Sequence, residues 1–548
     1  MFASTALLKS LENEGVKDIF GYPGAAINPF FAVLAGSSIN FTLVRAEASA
    51  GFAANGYARV SGRVGVRGTN TVGGRSTNTV GVCAATSGAG ALGLLPAIAC
   101  AYADSIPIVA ITGQVKTAEV GSDAFQEADI IGAAEPFVKY SYLVKNPNDI
   151  PRIVREAFYL AAAGRQGPVL IDIPVDVQEA ECDFYYPESV NLRSYNPTRE
   201  GNVFQIKKAA DAIIASKRPL IIAGGGVHSS NAVSLLREFA ASMNIPVVST
   251  MMGLGSISGK STLNLGMIGI HGNSRANNAL FEADTLIFIG ARAGERSIPT
   301  PEKLSGKEII HVDIDPAEIG KNIIPTIPIV SDCTDFFVKL SARLPERLFE
   351  TPWATAQEKT SQETLYETSH ETPQETPLER YFNVLSEFIA PDTIIVADVG
   401  NNQIAASKIR LTDGRFLTSG GMGSMGYALG ALIGVLTANR EQNSICITGD
   451  GGFQMSLAEL ATIKTYSLPA KIIIVNDSSL GMVKDTAVNM GITSIAGGFA
   501  TDLSLGNPDF TALAKSYGIK AETVKDFNTD SLKRLLESKS AYLLNVVI

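Results

Sequence analysis

Short apolar runs alternate along the chain with longer segments whose apolar residues recur at helical spacing. Six of the apolar runs are PIVAIT, PVLIDI, PLIIAG, TLIFIG, TIIVAD and KIIIVND. Short apolar runs bounded by turn residues are typical of strands buried on both faces of a parallel sheet. Segments such as DIPRIVREAFYLAAAG place their apolar residues on one face of a helix. The alternation predicts an α/β fold of doubly wound parallel sheets covered by helices.

Two changes in composition divide this pattern into three parts. The Pro- and Asn-rich segment FYYPESVNLRSYNPT precedes a new α/β series near residue 185. Near residue 346 the chain becomes rich in Glu, Thr, Gln and Pro and nearly loses its aliphatic residues, which indicates an exposed linker. We therefore predict three doubly wound domains at residues 1–185, 190–345 and 378–548, with a linker at 346–377. The pentapeptide TNTVG occurs at 69–73 and again at 77–81, where its composition predicts a hairpin or a flexible loop.

Composition and charge narrow the expected partners. The chain has 548 residues, 46% of them hydrophobic, and a formal net charge of −9 with no Lys/Arg-rich tract. Nucleic acid and membrane are therefore not expected partners, and small molecules are. The N-terminal segment MFASTALLKSLENEG has no cationic stretch followed by an apolar one, and the five cysteines form no CxxC pair. We expect a cytoplasmic protein whose cysteines are buried thiols.

The segment TGDGGFQ, Thr448 to Gln454, places an acidic residue between glycines directly after an apolar run. Open α/β sheets bind ligands at the carboxyl ends of their strands, and glycines there let backbone N–H groups approach an anion. The run KIIIVND ends at Asp477, far enough from Asp450 for one helix, MSLAELATIKTYSL, and a return strand. Two carboxylates beside a phosphate-binding turn suit Mg²⁺. The alternative is that GDG is only a turn.

The GDG segment followed by Asn476-Asp477 resembles the thiamine-diphosphate motif, and most of the chain resembles the catalytic subunit of acetolactate (acetohydroxyacid) synthase. The segments that carry this resemblance span all three predicted domains: EGVKDIFGYPGAA, GYARVSG, DSIPIVAITGQV, GSDAFQEADIIG, GPVLIDIP, HVDIDPAEIGKN, LTSGGMGSMGYALGA and NDSSLGMV. The resemblance implies a pyrimidine-binding first domain, a central FAD-binding-like domain and a diphosphate-binding third domain. In the family the second metal side chain is usually Asn, whereas here it is Asp477.

The resemblance assigns roles to residues of the first and third domains. Glu47 corresponds to the glutamate that hydrogen-bonds the cofactor's aminopyrimidine N1′, which lets the cofactor lose its own C2 proton. Met425 corresponds to the hydrophobic residue that bends the cofactor, with Gly423 as a backbone contact to the aminopyrimidine. The implied metal ligands are Asp450, Asp477 and the carbonyl of Ser479. The other implied contacts to thiamine diphosphate are Gly24, Asn402, Gln403, Gly451, Gly452 and Met482.

A flavin is implied for the central domain. The glycines of IIAGGGVHSS are by themselves a weak indication of a phosphate site. The order and spacing of MMGLGS, GIHGNSRAN, GARAGER, HVDIDP and VSD resemble the flavin-binding segments of the family. There the FAD is largely structural, since joining two keto acids involves no net redox change. The implied FAD contacts are Arg165, Gly224, Gly225, His271, Arg292, Asp313 and Asp332.

The expected reaction is decarboxylation of pyruvate and transfer of the two-carbon unit to a second 2-keto acid. Phe125, Gln126 and Arg296 are retained on the acceptor side, and the fork of Arg296 suits an acceptor carboxylate. All four histidines lie in the central domain or the linker. Simple decarboxylases of the superfamily use active-site histidines as proton donors, so their absence from both catalytic domains favours carbon–carbon bond formation.

Several positions depart from the family pattern. Thr486 replaces a tryptophan, Val175 replaces a lysine, HEQ reads Ala46-Glu47-Ala48, and SGPGATN reads SGAGALG. The chain also ends at LLNVVI, without the family's C-terminal arm. These departures leave three alternatives open: a related acyloin-forming ligase with a ketone or aldehyde acceptor, an FAD-using pyruvate oxidase, and a non-catalytic paralogue.

Assembly follows from where the implied residues lie. Glu47 belongs to the first predicted domain and the metal residues to the third, and in the resembling family the two come from different subunits. We therefore expect a homodimer or homotetramer with active sites at the subunit interface. A regulatory small subunit is possible, but nothing in the sequence indicates one.

Overall fold

The computed structural model describes residues 1–60, 70–72, 75–77, 80–355, 376–492, 494–495, 498–499, 505–525 and 528–548. The chain forms two compact units. One comprises Met1–Tyr195, Ile395–Gln403 and Leu417–Ile548, and the other Asn196–Ile394 and Ile404–Phe416. Three six-stranded sheets account for most of the strands, and the predicted α/β fold is confirmed.

The first sheet is parallel, with strand order β2-β1-β5-β6-β8-β7. Its strands and the neighbouring hairpin are β1 (Asp18–Tyr22), β2 (Asn40–Leu43), β3 (Asn70–Val72), β4 (Arg75–Thr77), β5 (Gly81–Ala85), β6 (Ile108–Gln114), β7 (Tyr140–Leu143) and β8 (Val169–Pro174). The helices are α1 (Ala3–Asn13), α2 (Asn28–Leu34), α3 (Glu47–Val60), α4 (Ala89–Asp104), α5 (Ile130–Ala134), α6 (Ile150–Ala162) and α7 (Val175–Glu179). Every residue of β5, β6 and β8 is buried, as expected for strands covered on both faces.

The second sheet is also parallel, with strand order β11-β10-β9-β12-β13-β14. Its strands are β9 (Pro219–Ala223), β10 (Val247–Ser249), β11 (Asn264–Met267), β12 (Thr285–Ile289), β13 (Glu308–Asp313) and β14 (Ile327–Val330). The helices are α8 (Val203–Ala215), α9 (Gly225–Ser229), α10 (Val233–Met243), α11 (Ser274–Glu282) and α12 (Cys333–Ser341).

The third sheet has strand order β16-β15-β17-β18-β22-β21. The strands after the linker are β15 (Ile394–Ala397), β16 (Arg415–Leu417), β17 (Ser444–Gly449), β18 (Lys471–Asn476), β19 (Ser494–Ile495), β20 (Gly498–Phe499), β21 (Lys520–Val524) and β22 (Tyr542–Val547). The helices are α13 (Pro377–Phe388), α14 (Asn401–Ala406), α15 (Tyr427–Ala438), α16 (Asp450–Ser456), α17 (Leu460–Thr465), α18 (Gly481–Asn489), α19 (Phe510–Ser516) and α20 (Thr529–Glu537).

Helices α3 and α15 bring the first and third sheets into one unit through glycines that leave no room for a side chain. A Cβ on Gly434 would lie 1.9 Å from the carbonyl oxygen of Ala53, and one on Gly56 would lie 2.1 Å from that of Ala431. Such separations are far below a van der Waals contact, so the two helix backbones touch directly. This contact matters for the site because Glu47 is the first residue of α3.

The six apolar runs singled out in the sequence are all strands, and the amphipathic segment DIPRIVREAFYLAAAG is α6. Strands β3 and β4, which carry part of the TNTVG duplication, pair antiparallel. This pairing agrees with the hairpin, which was one of the two expectations for the segment. Most of the predicted linker, residues 356–375, lies outside the described residues. All five cysteines are buried and free, as expected. Within the described ranges, none of the helices has the length and apolarity needed to cross a bilayer.

One predicted helix begins earlier than expected. MSLAELATIKTYSL was expected to form a helix after a GDG turn, but helical structure starts at Asp450 with α16. A short 3-10 turn at Leu457–Glu459 then leads into α17, which ends at Thr465. Gly449 serves as the N-cap in extended conformation, so the GDG segment is the first turn of the helix.

Candidate cofactor site

Two carboxylates meet at the carboxyl edge of the third sheet, as the sequence predicts. Strands β17 and β18 are parallel neighbours, Asp450 directly follows the first, and Asp477 directly follows the second. Burial raises the pKa of the Asp450 carboxyl, and the nearby negative charge of Asp477 raises this pKa further. A divalent cation between them would relieve this repulsion, so the donor chemistry fits Mg²⁺. Among the described residues no group of three or more His, Cys, Asp or Glu side chains is placed to hold a metal.

The glycines that follow Asp450 are closely packed, and Gly452 more tightly than Gly451. A Cβ on Gly451 would lie 3.1 to 3.3 Å from the side-chain ends of Leu480, Leu505 and Met425. A Cβ on Gly452 would lie 2.8 Å from Oδ1 of Asp398. The structure therefore brings Met425, proposed to bend the cofactor, against the GDG turn. Gly423 lies two residues earlier, exposed and with a φ of +64°.

Asp398 is a site residue that the sequence interpretation missed. It follows β15, is fully buried, and accepts hydrogen bonds from the backbone N–H groups of Val399, Gly426 and Ala428. Burial raises the pKa of its carboxyl to about 6, although these three bonds oppose the rise. Asp398 thus fixes the end of the glycine-rich segment that carries Met425. Its position after a buried strand could have suggested a role at the sheet edge.

Asn507 is a second missed residue. Its Nδ2 donates to Oδ2 of Asp450 at 2.6 Å and to Oδ1 of Asn476 at 2.9 Å, and Nε2 of Gln454 donates to its Oδ1 at 2.6 Å. One amide thus links the ends of both metal-site strands. Asn507 lies 57 positions beyond Asp450, so no local spacing reveals it.

The segment after β18 holds Asp477 in place. Oδ1 of Asp477 accepts from the N–H of Ser479, and its Oδ2 would lie 2.3 Å from a Cβ on Gly481, so position 481 has no room for a side chain. Met482 is half-buried in the first turn of α18, and its carbonyl accepts from Oγ1 of Thr486.

Two predicted cofactor contacts at the start of α14 have buried side chains. Nδ2 of Asn402 donates to the carbonyl of Asp398 at 2.7 Å, and its Oδ1 lies 3.2 Å from the position of a Cβ on Gly449. Nε2 of Gln403 donates to Oγ1 of Thr418 at 2.6 Å. Both residues therefore lie near the carboxyl edge of the third sheet, the edge that also carries Asp450.

Glu47 lies at the amino-terminal end of α4 in the first sheet's layer. A Cβ on Gly93 would lie 3.3 Å from its Oε2, and one on Gly90 would lie 3.4 Å from its Oε1. Gly93 stands where the family has the Asn of SGPGATN, so this departure directly borders the glutamate. Gly24 is also close to this group, because a Cβ there would lie 2.6 Å from Thr86, which in turn packs on Gly90.

The segment with Phe125 and Gln126 covers the same helix end. Gln126 has a φ of +62°, which is uncommon for a residue with a side chain, and a Cβ on Gly88 would lie 2.7 Å from its carbonyl oxygen. Phe125 is 90% exposed. The structure thus gathers Gly24, Glu47, Phe125 and Gln126 around the start of α4.

In one chain the glycine-rich segment meets the opposite ends of α3 and α4. Arg59 near the end of α3 pairs with Asp104 at the end of α4 at 2.8 Å, and the Asp104 carboxylate accepts from the N–H groups of Gly420 and Gly421. Gly93, which borders Glu47, and Asp104 are separated by about 16 Å along the axis of α4. Glu47 and the start of the glycine-rich segment therefore lie at different ends of the same helix pair.

The second sheet collects the proposed flavin contacts of its own unit at one edge. Gly224 and Gly225 follow β9, His271 follows β11, and Arg292 follows β12. Asp313 ends β13, and Asp332 follows β14 as the N-cap of α12. All lie at the carboxyl edge, where open α/β sheets bind ligands. Arg165 belongs to the other unit, where its Nε donates to Oγ of Ser105.

Arg296 is exposed, and its Nη1 lies 3.2 Å from Nε2 of His271. Burial lowers the pKa of His271, and the positive charges of Arg296 and Lys408 lower it further. A neutral imidazole can accept one hydrogen bond from the guanidinium of Arg296. The other N–H groups of the guanidinium then stay available for a carboxylate. The proposed acceptor-binding residue thus adjoins a proposed flavin contact.

Comparison with known proteins accounts for this arrangement. The chain matches the N-terminal TPP-binding domain of thiamine pyrophosphate enzymes over residues 1–74 and 72–133, their central domain over 206–340 and their C-terminal TPP-binding domain over 398–546. It is 41% identical over 570 aligned residues, covering 100% of this chain and 92% of the relative, to a probable acetolactate synthase large subunit of Methanocaldococcus jannaschii. An acetolactate synthase of Arthrospira platensis is 39% identical, with 99% of this chain and 93% of the relative covered. An acetolactate synthase large subunit of Cyanidium caldarium is 39% identical, with 99% and 92% covered. With carboxylates and glycines at two sheet edges and full-length similarity of this kind, the chain belongs to the acetolactate synthase large-subunit family of thiamine pyrophosphate enzymes.

Proposed function

We propose that this protein is a thiamine diphosphate- and Mg²⁺-dependent carboligase that decarboxylates pyruvate and joins the two-carbon unit to a second 2-keto acid. The observation that carries the proposal is that Asp450 and Asp477 lie at the ends of neighbouring strands. Met425 packs close to Gly451, which also lies near Leu480 at the start of α18. Similarity to acetolactate synthases over the whole chain supports the same conclusion.

Different residues of the chain would hold the metal, the diphosphate and the rings of the cofactor. Asp450, Asp477 and the carbonyl of Ser479 would hold Mg²⁺ and through it the diphosphate, with Gly451 and Gly452 leaving their N–H groups open to it. Glu47 would hold a proton at N1′ of the aminopyrimidine, and Met425 would orient the rings. When bound, thiamine diphosphate supplies the nucleophilic carbon that adds to the keto group and accepts the electron pair released with CO₂.

The acceptor is assigned to Arg296, Gln126 and Phe125. Arg296 has a guanidinium exposed to solvent beside neutral His271, and a carboxylate can bind it through two hydrogen bonds. Thr486 and Val175 replace larger family residues, so we propose that the acceptor pocket is wide and discriminates weakly between pyruvate and 2-ketobutyrate. FAD is proposed as a structural cofactor at the carboxyl edge of the second sheet, where Gly224 and Gly225 follow β9.

A homodimer is proposed as the smallest active unit. Gly420 and Gly421 contact the end of α4 opposite to Glu47. This placement, together with the arrangement in the resembling family, supports a cofactor that takes Glu47 from one chain and the metal pair from another. The division into domains at 1–185, 190–345 and 378–548 is retained as part of this proposal. The proposal also includes a cytoplasmic location, because five free buried thiols suit a reducing compartment. It includes a small partner subunit as well, because the relatives are named large subunits.

Product analysis tests the proposed reaction. The purified protein is incubated with pyruvate, thiamine diphosphate, Mg²⁺ and FAD, and products are separated with and without 2-ketobutyrate. We expect acetolactate from pyruvate alone and the longer acetohydroxy acid when 2-ketobutyrate is added. Flavin reduction by pyruvate without oxygen would indicate a pyruvate oxidase, and release of acetaldehyde as the sole product would indicate a decarboxylase. Either result would refute the proposed function.

A further inference from the structure

Glu459 is a buried carboxylate whose backbone donors belong to the part of the chain around the first sheet. It is 1% exposed and ends the short 3-10 turn that follows α16, the helix that begins with Asp450. Its Oε1 accepts from the backbone N–H groups of Arg45 at 2.8 Å and Ala46 at 3.1 Å. Its Oε2 accepts from Oγ1 of Thr462 at 2.7 Å, which fixes the orientation of the carboxylate.

These two N–H groups stand immediately before the helix that starts with Glu47. The N–H group of the residue before a helix has no acceptor within the helix, and a side-chain carboxylate can supply one. Ala46 occupies that preceding position. Glu459 supplies the acceptor from 413 residues away, and its negative charge also suits the positive end of the helix dipole.

Neighbouring contacts hold the same stretch of chain. Oγ1 of Thr462 also contacts the carbonyl of Leu43 at 3.2 Å, and the N–H of Leu43 donates to the hydroxyl of Tyr466 at 2.8 Å. The whole connection from β2 to α3 is therefore held by the 3-10 turn at Leu457–Glu459, by α17 and by Tyr466. Since Glu47 follows at once, the start of α3 determines where its carboxylate lies against Gly90 and Gly93.

We propose that Glu459 is a positioning residue for Glu47, setting the point at which α3 begins and thereby the place of the Glu47 carboxylate at the cofactor's N1′. This inference rests on the proposed function, because it gives Glu47 the role of holding that proton. Burial raises the pKa of the Glu459 carboxyl, and the bonds from Thr462, Arg45, Ser49 and Ala46 oppose the rise. Of these four donors, Arg45, Ala46 and Ser49 lie at or just before the start of α3, so the buried carboxylate is satisfied mainly by that part of the chain.

Two substitutions separate positioning from charge. Glu459→Gln keeps an oxygen for the N–H groups of Arg45 and Ala46, and its amide can donate to Oγ1 of Thr462. Glu459→Ala removes the acceptor. We expect C2–H exchange of bound thiamine diphosphate, measured at saturating cofactor, to slow roughly 10- to 100-fold in the Ala variant and by less than about 3-fold in the Gln variant. In the cofactor-free protein, amide exchange at residues 45 and 46 should rise at least about 10-fold in the Ala variant alone.

Controls distinguish the possible failures. Tyr466→Phe removes another bond to the same connection and should leave C2–H exchange within about 2-fold. If Glu459→Ala does not fold, Thr462→Val, which releases Oε2 without creating a cavity, should slow exchange about 3-fold. Unchanged exchange in both Glu459→Ala and Thr462→Val, or equal losses in the Gln and Ala variants, would overturn the inference. Wild-type exchange in Glu47→Gln would instead refute the role proposed for Glu47 itself.

Discussion

Replacing Gly452 by Ala tests whether the GDG turn and Asp398 form one packed unit. The new Cβ would lie 2.8 Å from Oδ1 and 2.9 Å from Cγ of Asp398, and 3.1 Å from Oγ1 of Thr448. Asp398 cannot move away freely, because its carboxylate is buried and holds the N–H groups of Val399, Gly426 and Ala428. The methyl group therefore displaces either the helix start or the segment that carries Met425.

The size of the effect follows from three contributions. Overpacking a dense interior costs about 1 to 3 kcal/mol. Stretching one hydrogen bond to the buried carboxylate adds about 1.5 to 3 kcal/mol. The better helix propensity of Ala in α16 offsets about 1 kcal/mol of this. We expect a net destabilisation of about 1.5 to 5 kcal/mol, which at about 2 to 4 °C per kcal/mol lowers Tm by about 3 to 20 °C.

Gly451→Ala is the matched control, one residue earlier in the same turn. The three atoms nearest to its Cβ would be the flexible side-chain ends of Leu480, Leu505 and Met425, at 3.1 to 3.3 Å. Both variants are compared with the wild type by calorimetry without cofactor. We expect Gly451→Ala to lower Tm by less than about 3 °C. An equal loss in both variants, or a larger one for Gly451→Ala, would refute the packing argument around Asp398.

Three further outcomes follow from the site and the first sheet. Asp450→Ala should abolish retention of Mg²⁺ and thiamine diphosphate, measured by calorimetric titration, and unchanged affinity would remove Asp450 from the metal site. Arg296→Ala should lower kcat/KM for keto-acid acceptors by about 1.5 to 3 kcal/mol while sparing neutral acceptors, and an equal loss for both would give Arg296 a structural role. Burial raises the pKa of Asp172 to about 7 from 3.8. Because the folded protein keeps this proton where the unfolded chain has lost it, stability should fall as pH rises from about 4 to 7, and Asp172→Asn should flatten that slope in Tm measurements from pH 5 to 8. An unchanged slope would contradict the protonation assigned to Asp172.

The sequence predicted those parts of the fold that depend on local pattern. Buried parallel strands are short uninterrupted apolar runs, so β6, β8, β9, β12, β15 and β18 could be located from composition alone. Asp450 and Asp477 could be paired because one βαβ unit places consecutive strand ends at one edge.

The residues that complete the site could not be found in this way. Asn507 bonds to Asp450 over 57 positions, and Glu459 bonds to Ala46 over 413. Their side chains are ordinary polar residues whose partners are set by how helices and sheets pack, and no periodicity encodes such pairs. The early start of α16 was missed for a related reason, since glycines in a first helical turn have the composition of a loop.

Subunit complementation tests most directly whether Glu47 and the Asp450–Asp477 pair act on one cofactor shared between chains. Inactive Glu47→Gln and Asp450→Ala proteins are mixed under conditions of demonstrated subunit exchange, and acetolactate formation is measured. Random pairing makes half of the dimers mixed, each with one intact site, so activity should recover to about a quarter of the wild-type value. No recovery despite complete exchange would place both residues in a site within one chain and contradict the proposed assembly.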